Sequence, residues 1–185
     1  MNKEFDEGMK NVLKELLSTV VYVGVTLLLV FLFITFVMQR TEVSGTSMVP
    51  TLNDSDSLLI EKFTYRFGDV NRFDIIVFPY KYGNDEYFIK RVIGLPGETV
   101  NIDLEGNIFI DGVKLDEAYG AEIIQDPGVA YYGVTLGEDE YFVMGDNRNH
   151  SMDSRDPSVG NIKKKDILGH AFARVYPFDS FGSIK

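Results

Sequence analysis

Tyr87-Phe88-Ile89-Lys90-Arg91-Val92-Ile93 is a run of aromatic, β-branched and apolar residues that Gly94-Leu95-Pro96-Gly97 brings to an end. The run has the length and composition of a β-strand, and the glycines and proline after it are strong strand breakers. Lys90 stands in the middle of the run. Its simplest interpretation is an exposed charge near the end of a strand, and the rest of the chain must decide whether it has a further task.

The chain on both sides of this strand shows more short strands separated by turn residues. Glu105-Gly106-Asn107 and Asp111-Gly112 are tight-turn sequences flanked by alternating apolar residues. We therefore expect a mainly β fold, an antiparallel β-sheet domain with a small inserted β region at about residues 97–140. The tail after Pro177 is expected to be flexible. The other expected strands are residues 58–60, 73–78, 100–104, 108–110, 113–115, 140–144 and 167–175.

The segment before this domain contains no charged residue from position 16 to position 39, and residues 20–38 are almost wholly apolar. As an α-helix, this apolar core would rise about 29 Å, close to the ~30 Å hydrocarbon thickness of a bilayer. Phe36-Val37-Met38-Gln39-Arg40 lacks the small-x-small pattern of a signal peptide cleavage site. The sequence therefore predicts one uncleaved transmembrane helix at residues 16–39 rather than a buried helix or a cleaved leader.

Basic residues on the two sides of the apolar segment predict its orientation. Arg40 alone follows the segment before position 62, whereas several lysines precede it, namely Lys3, Lys10 and Lys14. Lysine and arginine are retained on the cytoplasmic side of a membrane. We therefore expect a single-pass protein of the cell membrane. Residues 1–15 would lie in the cytoplasm, and residues 40–185 would form an extracytoplasmic domain.

Two further stretches carry residues able to do chemistry. Gly45-Thr46-Ser47-Met48-Val49-Pro50-Thr51 follows the apolar segment, and by itself it is only a turn signal. Gly145-Asp146-Asn147-Arg148-Asn149-His150-Ser151-Met152-Asp153-Ser154-Arg155 lies much later. In this order, with the Lys90 strand between them and one apolar segment in front, the stretches resemble the bacterial type I signal peptidases. The resemblance extends from the apolar segment to about Pro177.

This resemblance implies a membrane-bound serine endopeptidase. Its substrates would be secretory preproteins, cut behind the signal peptide after small-x-small sites of the Ala-x-Ala kind. Ser47 would be the nucleophile and Lys90 the general base, a variant of the serine protease triad. Relatives of the endoplasmic reticulum type carry histidine at the position of Lys90, so the lysine indicates the bacterial type.

The third stretch is expected to support this dyad. By resemblance, Ser151 hydrogen-bonds the lysine amine and orients it, while Asp153 and Arg155 form a charge pair that holds the loop. Asp146 is expected to brace the same turn, as are its neighbours Asn147 and Arg148.

Lysine acts as a base only when it is neutral, and an exposed lysine with a pKa of about 10.4 is charged at pH 7. Burial lowers the pKa of an amine. The strand at residues 73–78, with Phe88, Val92 and Leu95, is expected to surround Lys90 with apolar groups. A triad of Ser47, His150 and an aspartate is the alternative, since a His–Asp pair is the usual helper of a serine.

Two positions depart from the family pattern. Some relatives support the oxyanion with a serine hydroxyl two residues before the nucleophile, where this chain has Gly45. Beside the Ser47 N–H, either a backbone N–H near Gly45 is the second donor or the oxyanion hole is weaker. Relatives often carry glycine at the position of Phe73, which bears on the local strand geometry. An extended substrate would pair with a strand edge, and its small side chains would enter shallow pockets. Candidates for lining these pockets are Val43, Met48, Leu52, Ile75, Val77 and Ile89.

Composition excludes several other classes of function. The net charge of −10 argues against a nucleic-acid partner, which needs a basic surface. The chain has no cysteine and two histidines, His150 and His170, so we expect no metal site and no cofactor. The expected partners are preproteins and membrane lipid. Two alternatives are a self-cleaving Ser–Lys peptidase of the repressor type, which needs a DNA-binding N-terminal domain, and a non-catalytic membrane-tethered binding module.

Overall fold

A computed structural model describes residues 2–184, except for the side chains of residues 2–7, 10, 33–37 and 66. The chain divides into two units, one ending at Met38 and one beginning at Gln39. The first unit is the helix α1, Asn2–Val37. The second contains one short α-helix among the described residues, α2 at Thr64–Phe67, and the strands, the first of which begins at the boundary residue Met38. These are β1 Met38–Glu42, β2 Ser57–Glu61, β3 Ile75–Pro79, β4 Tyr87–Gly94, β5 Thr99–Ile102, β6 Ile108–Ile110, β7 Val113–Lys114, β8 Val134–Thr135, β9 Glu140–Met144, β10 Ile162–Lys163, β11 Gly169–Tyr176 and β12 Gly182–Ser183.

Helix α1 carries the long apolar segment. Its stretch Asn11–Leu32 has a mean hydropathy of 2.2 and is long and apolar enough to cross a membrane. The hydroxyl groups of Thr19 and Thr26 donate to carbonyl oxygens four residues earlier in the same helix. These bonds give the two hydroxyl groups hydrogen-bond partners within the helix. In apolar surroundings, which offer no other partner, such bonds are needed. The charged residues near position 15 lie on the same continuous helix and do not interrupt it.

The strands form two antiparallel sheets. The larger sheet has the order β1-β2-β11-β3-β4-β9-β10, with β12 also paired to β11. The smaller sheet has the order β7-β6-β5-β8. Strands β5 to β8 come between β4 and β9 in the chain, yet β4 and β9 are hydrogen-bonded neighbours. The smaller sheet is therefore inserted between two adjacent strands of the larger one.

Apolar residues cover both faces of the larger sheet. Along β3, Ile75 and Val77 point into one buried cluster, whereas Ile76 and Phe78 point into another. This alternation is the side-chain period of a strand, and it explains why β3 reads as a continuous apolar run. A third cluster joins the end of β4 and β9 to the smaller sheet.

The predicted fold class, mainly antiparallel β with one N-terminal apolar helix, is confirmed. The tail after Pro177, which was expected to be flexible, forms the short strand β12, in which Ser183 and Gly182 pair with Ala173 and Arg174 of β11. The Ile184 N–H extends this pairing by donating to the carbonyl oxygen of Phe172 over 3.0 Å.

Candidate active site

Ser47 lies in a turn that the core holds from one side. The residue that follows it, Met48, is 2% exposed, and Leu52 is fully buried in the same apolar cluster. The Leu52 N–H donates to the carbonyl oxygen of Met48 over 2.9 Å, which closes one helical turn. Gly45 has a φ of +96°, a conformation that favours glycine. The apolar residues of the turn thus fix its backbone, and the serine hydroxyl remains half-exposed.

Lys90 extends from the middle of β4 to this turn. Its Nζ donates to Oγ of Ser47 over 2.9 Å and to the carbonyl oxygen of Ile89 over 3.0 Å. The residue is 3% exposed, and Nζ lies 4.8 Å from the centre of the Phe88 ring. The two residues that the sequence predicts as nucleophile and base are therefore in hydrogen-bond contact, although they are 43 positions apart.

Burial lowers the pKa of Lys90 from 10.5 to about 8. Water solvates an ammonium group better than the apolar surroundings do, so the neutral amine is favoured. The negative charges of Asp153 and Asp146 oppose this effect and raise the pKa, but they do not cancel it. At pH 7, about a tenth of the amine is therefore free of its proton, far more than for an exposed lysine.

The stretch that begins at Gly145 holds the serine turn from the other side. The Asn147 N–H donates to the carbonyl oxygen of Ser47 over 3.0 Å, and Nδ2 of Asn147 donates to the carbonyl oxygen of Thr46 over 3.1 Å. Gly145 is required at the contact, because a Cβ there would collide with the Ser47 carbonyl oxygen and with Oγ of Ser151. All three stretches singled out in the sequence thus meet at one place.

Comparison with known proteins assigns this arrangement to a family. The sequence matches the family described as signal peptidase, peptidase S26, over residues 16–176. The chain belongs to this family of signal peptidases. It is 40% identical over 153 residues to a probable signal peptidase I-2 of a Synechocystis species, covering 80% of this chain and 67% of that protein. It is 36% identical over 186 residues to signal peptidase I of Bacillus licheniformis, covering 97% of each. A crystal structure of a signal peptidase I from Enterococcus faecalis V583 is 37% identical, with a TM-score of 0.46, and the match covers 55% of this chain and 96% of that one.

Asp146 of this signal peptidase makes a contact that the sequence does not reveal. Nε and Nη2 of Arg91 donate to its two carboxylate oxygens over 2.9 and 2.7 Å, and both side chains are almost completely buried. Oγ1 of Thr51 donates to the same carboxylate. A charged residue beside Lys90 in a buried strand indicates that Arg91 needs a partner of opposite charge. The sequence does not reveal which residue this is, because Asp146 lies 55 positions away.

Asp153 and Arg155 form the predicted charge pair. Nε and Nη2 of Arg155 each donate to the Asp153 carboxylate over 2.8 Å. The same carboxylate accepts a hydrogen bond of 3.0 Å from the Gly145 N–H. Nη2 of Arg155 also donates to the carbonyl oxygen of Arg148. The pair therefore ties the two ends of its own loop together.

Arg148 joins the same loop to the inserted region. Its guanidinium group forms a two-bonded ion pair with Glu117, at 2.6 and 2.9 Å. Nε of Arg148 donates to the Gly145 carbonyl oxygen over 3.1 Å. Glu117 was not singled out in the sequence, because it stands in a segment without a clear pattern.

Ser151 is placed differently from what the resemblance implies. Its Oγ is buried against Gly145, and it has no hydrogen-bond partner among the residues that the structure describes. The amine of Lys90 is held by Ile89 and Ser47 instead. The expected bond between Ser151 and Lys90 is therefore not formed in this structure, because the serine packs beneath the Gly145 backbone.

The two departures from the family pattern have different consequences. The Gly45 N–H donates to Oδ1 of Asp54 over 2.7 Å, so it is already occupied. Phe73 has a φ of +74°, in the left-handed region that glycine adopts without strain. Its backbone is held there by bonds to Val92 and Arg91, and its ring lies 4.9 Å from that of Tyr119. The glycine of the relatives fits this backbone conformation directly.

Among the described residues, neither histidine side chain is hydrogen-bonded to Ser47. His150 is exposed in the turn after Asn147, and His170 lies on β11 with its Nε2 4.0 Å from Asp74. Within the described residues, no group of three or more histidine, aspartate or glutamate side chains is placed to hold a metal ion.

A cleft of 390 Å³ opens beside the Ser47 and Lys90 pair. Residues 41–44, residues 85–89 and Met152 are among the residues that line the cleft. Four of the six predicted pocket residues line it, namely Val43, Met48, Val77 and Ile89. The other two, Leu52 and Ile75, are buried in the core behind it.

Proposed function

We propose that this signal peptidase cleaves exported preproteins with Ser47 as nucleophile and Lys90 as general base. The observation that carries the proposal is the 2.9 Å distance between Nζ of the buried Lys90 and Oγ of the half-exposed Ser47. The ammonium group donates this bond in the structure. The same distance suits the reversed bond, in which the serine O–H donates to the neutral amine and transfers its proton as Oγ attacks.

The pKa of Lys90, lowered to about 8, supports this role. A base with a pKa near the working pH is partly neutral and still holds a proton well after accepting it. In the first half of the reaction, Lys90 takes the serine proton and passes it to the leaving amine of the mature protein. In the second half, it takes a proton from the water that hydrolyses the acyl-enzyme and gives it to Ser47 Oγ as the ester bond breaks.

The oxyanion of each tetrahedral intermediate needs hydrogen-bond donors. The Ser47 N–H is the first donor that we propose. A second donor at the Gly45 N–H would require its bond to Asp54 to break, since that N–H is engaged at 2.7 Å. This disfavours the Gly45 N–H itself as the second donor.

The cleft beside the dyad suits an extended peptide. Strand β9 pairs with β4 only along Arg91–Gly94, so among the described strands Tyr87–Lys90 has a partner on one side only, β3. A substrate strand can add to this open edge by main-chain hydrogen bonds. Its alternate side chains would then face Val43, Met48, Val77 and Ile89, whose apolar surface leaves room for small residues. This supports cleavage after small-x-small sites.

Helix α1 supports membrane anchoring. We propose a single span within residues 16–39, with the N-terminus in the cytoplasm and residues 40–185 on the extracytoplasmic face. The lysines before residue 16 and the apolar stretch Asn11–Leu32 of α1, which overlaps the proposed span along residues 16–32, are the grounds for this topology. In intact spheroplasts, added protease should remove an epitope fused after Lys185. An epitope that stays protected until the cells are lysed would contradict the orientation.

The experiment that tests the function uses the full chain in detergent with a preprotein, followed by N-terminal sequencing of the product. Cleavage should occur after a small-x-small site. Ser47→Ala, Lys90→Ala and the double variant should be inactive to a similar extent, because members of one catalytic unit are not additive. Lys90→Arg should fail as well, because a guanidinium group stays charged. Full activity of Lys90→Arg would remove the lysine from the mechanism, and a loss in His150→Ala as deep as in Ser47→Ala would favour the histidine triad.

A further inference from the structure

Thr51 ends the stretch that carries Ser47, and its side chain is tied to a distant part of the chain. Its Oγ1 donates to Oδ2 of Asp146 over 2.5 Å, a bond between residues 95 positions apart. Its carbonyl oxygen accepts a hydrogen bond from Nη2 of Arg174 on β11. We propose that Thr51 is a positioning residue, whose hydroxyl group fixes the Ser47 turn relative to Lys90. The proposal rests on the proposed Ser47–Lys90 dyad.

Through Asp146, the Thr51 side chain is linked to the strand that carries Lys90. The Asp146 carboxylate is also held by two hydrogen bonds from Arg91, and Arg91 directly follows Lys90 in β4. A chain of three side chains, the half-buried Thr51 and the buried Asp146 and Arg91, therefore connects the turn of the nucleophile to the strand of the base. Hydrogen bonds to a charged group are shorter and stronger than neutral ones, so this chain is well suited to hold a distance.

Other contacts also hold the Ser47 turn in place. Asn147 binds the carbonyl oxygens of Thr46 and Ser47, and Asp54 binds the Gly45 N–H. These contacts hold the first part of the turn, before and at the serine. The fully buried Leu52 fixes the chain directly after the turn. The Thr51 hydroxyl links the last part of the turn to the Arg91–Asp146 pair, so its loss should let the turn shift without unfolding the protein.

The charges of nearby carboxylate groups influence the pKa of Lys90. The groups whose charges act on Lys90 are Asp146 and Asp153, and each is paired with an arginine, Arg91 and Arg155 respectively. The Asp146 charge favours the protonated lysine. A variant without the Thr51 hydroxyl removes one donor from this carboxylate, and more of its negative charge then acts on the amine. The pKa of Lys90 should rise, which a purely structural role for Thr51 does not predict.

The test compares Thr51→Val, which has nearly the same shape without a hydroxyl, with Thr51→Ser, which keeps the hydroxyl. Thr64→Val on the exposed side of α2 is the matched control. In the full-length protein in detergent, Thr51→Val should lower kcat about 10- to 100-fold, because small misplacements of reacting groups have effects of this size. KM should change little, the acidic limb of the pH profile should move to higher pH, and Thr51→Ser should restore both. If Thr51→Val does not fold, Thr51→Ala serves for the same comparison.

Two results would overturn the proposal. In one, Thr51→Val keeps the kcat and the pH limb of the wild type. In the other, Thr51→Ser is as defective as Thr51→Val, which would assign the effect to packing. A wrong dyad would show itself separately, as activity retained in Ser47→Ala or Lys90→Ala.

Discussion

Arg91 and Asp146 form a two-bonded ion pair that solvent does not reach, with side-chain exposures of 1% and 0%. The ring of Tyr119 covers the guanidinium group at 3.8 Å. Taking two charges out of water is costly, and the mutual attraction offsets this cost only while both partners are present. The pair therefore holds β4 and the Gly145 loop together in one geometry, and it does so next to Lys90.

This pair predicts opposite effects for single and double substitutions. Asp146→Leu should lower the free energy of unfolding by about 3 to 5 kcal/mol, because it leaves a buried arginine without its carboxylate. Arg91→Met together with Asp146→Leu should recover most of that loss, whereas activity should stay low because Thr51 and β4 lose their common partner. Thermal unfolding and peptide cleavage of the three proteins check this. A double variant less stable than Asp146→Leu would contradict it.

Phe73 predicts an inversion of the usual order of alanine and glycine. Its backbone has a φ of +74°, which costs a non-glycine residue about 1 to 3 kcal/mol. Both Phe73→Ala and Phe73→Gly lose the ring packed against Tyr119, but only glycine removes the strain. Phe73→Gly should therefore be the more stable of the two variants in thermal unfolding.

The control for this prediction is Phe109, a partly buried residue of the extended strand β6. There the ordinary order is expected, with alanine more stable than glycine by roughly 0.5 to 1 kcal/mol. If alanine is the more stable residue at both positions, the left-handed backbone at Phe73 is wrong.

The sequence motifs indicate the main residues of the candidate site better than they indicate which side chains these residues contact. The roles expected of Ser47 and Lys90 came from the resemblance of three stretches taken in order, because the turn at Ser47 and the strand at Lys90 are each by themselves only local signals. The bond between Thr51 and Asp146 and the ion pair between Glu117 and Arg148 join residues far apart in the chain, and no local pattern encodes which partner a side chain meets.

The lack of a local pattern for contacts between distant residues also explains where the structure differs from the expectations. The tail pairs with β11 through only a few backbone bonds around Gly182, which require no recognisable sequence pattern. The expected contact of Ser151 with Lys90 depended on the path of the loop at Gly145, where the glycine lets the serine approach the backbone. In contrast, the alternation of apolar residues along β5 and β6, on either side of the Glu105-Gly106-Asn107 turn, is a local property, and together with the turn sequences it was sufficient to predict the antiparallel β class.

Burial of Lys90 predicts a stability that depends on pH. The pKa is about 8 in the folded protein and 10.5 for an unperturbed lysine. Below pH 8 the group is charged in both states, and the folded state bears the full cost of burying the charge. Between the two pKa values the unfolded state binds the extra proton, so stability rises with pH. Lys90→Met should thus be more stable than the wild type by about 3 kcal/mol at pH 6, and the gap should shrink above pH 8.

Thermal unfolding of both proteins in detergent across pH 6 to 10 would measure this gap. Lys114→Met is the matched control, because Lys114 is an exposed strand residue. Its replacement should leave the pH dependence of stability the same as in the wild type. Equal stability of Lys90→Met and the wild type at pH 6 would mean that the lysine is not appreciably destabilised by burial.

The pH dependence of kcat/KM tests the central claim, that a buried Lys90 is the general base, most directly. For a peptide with alanine at the two key positions, kcat/KM should rise with pH through an acidic limb near pH 8, where the pKa of Lys90 lies. Phe88→Ser and Val77→Thr should admit water to the amine, raise its pKa and move the limb to higher pH, since loss of burial outweighs loss of the ring contact. An acidic limb between about pH 4 and 5 that neither variant moves would indicate a carboxylate base, because that is where carboxyl groups titrate, and would contradict the account.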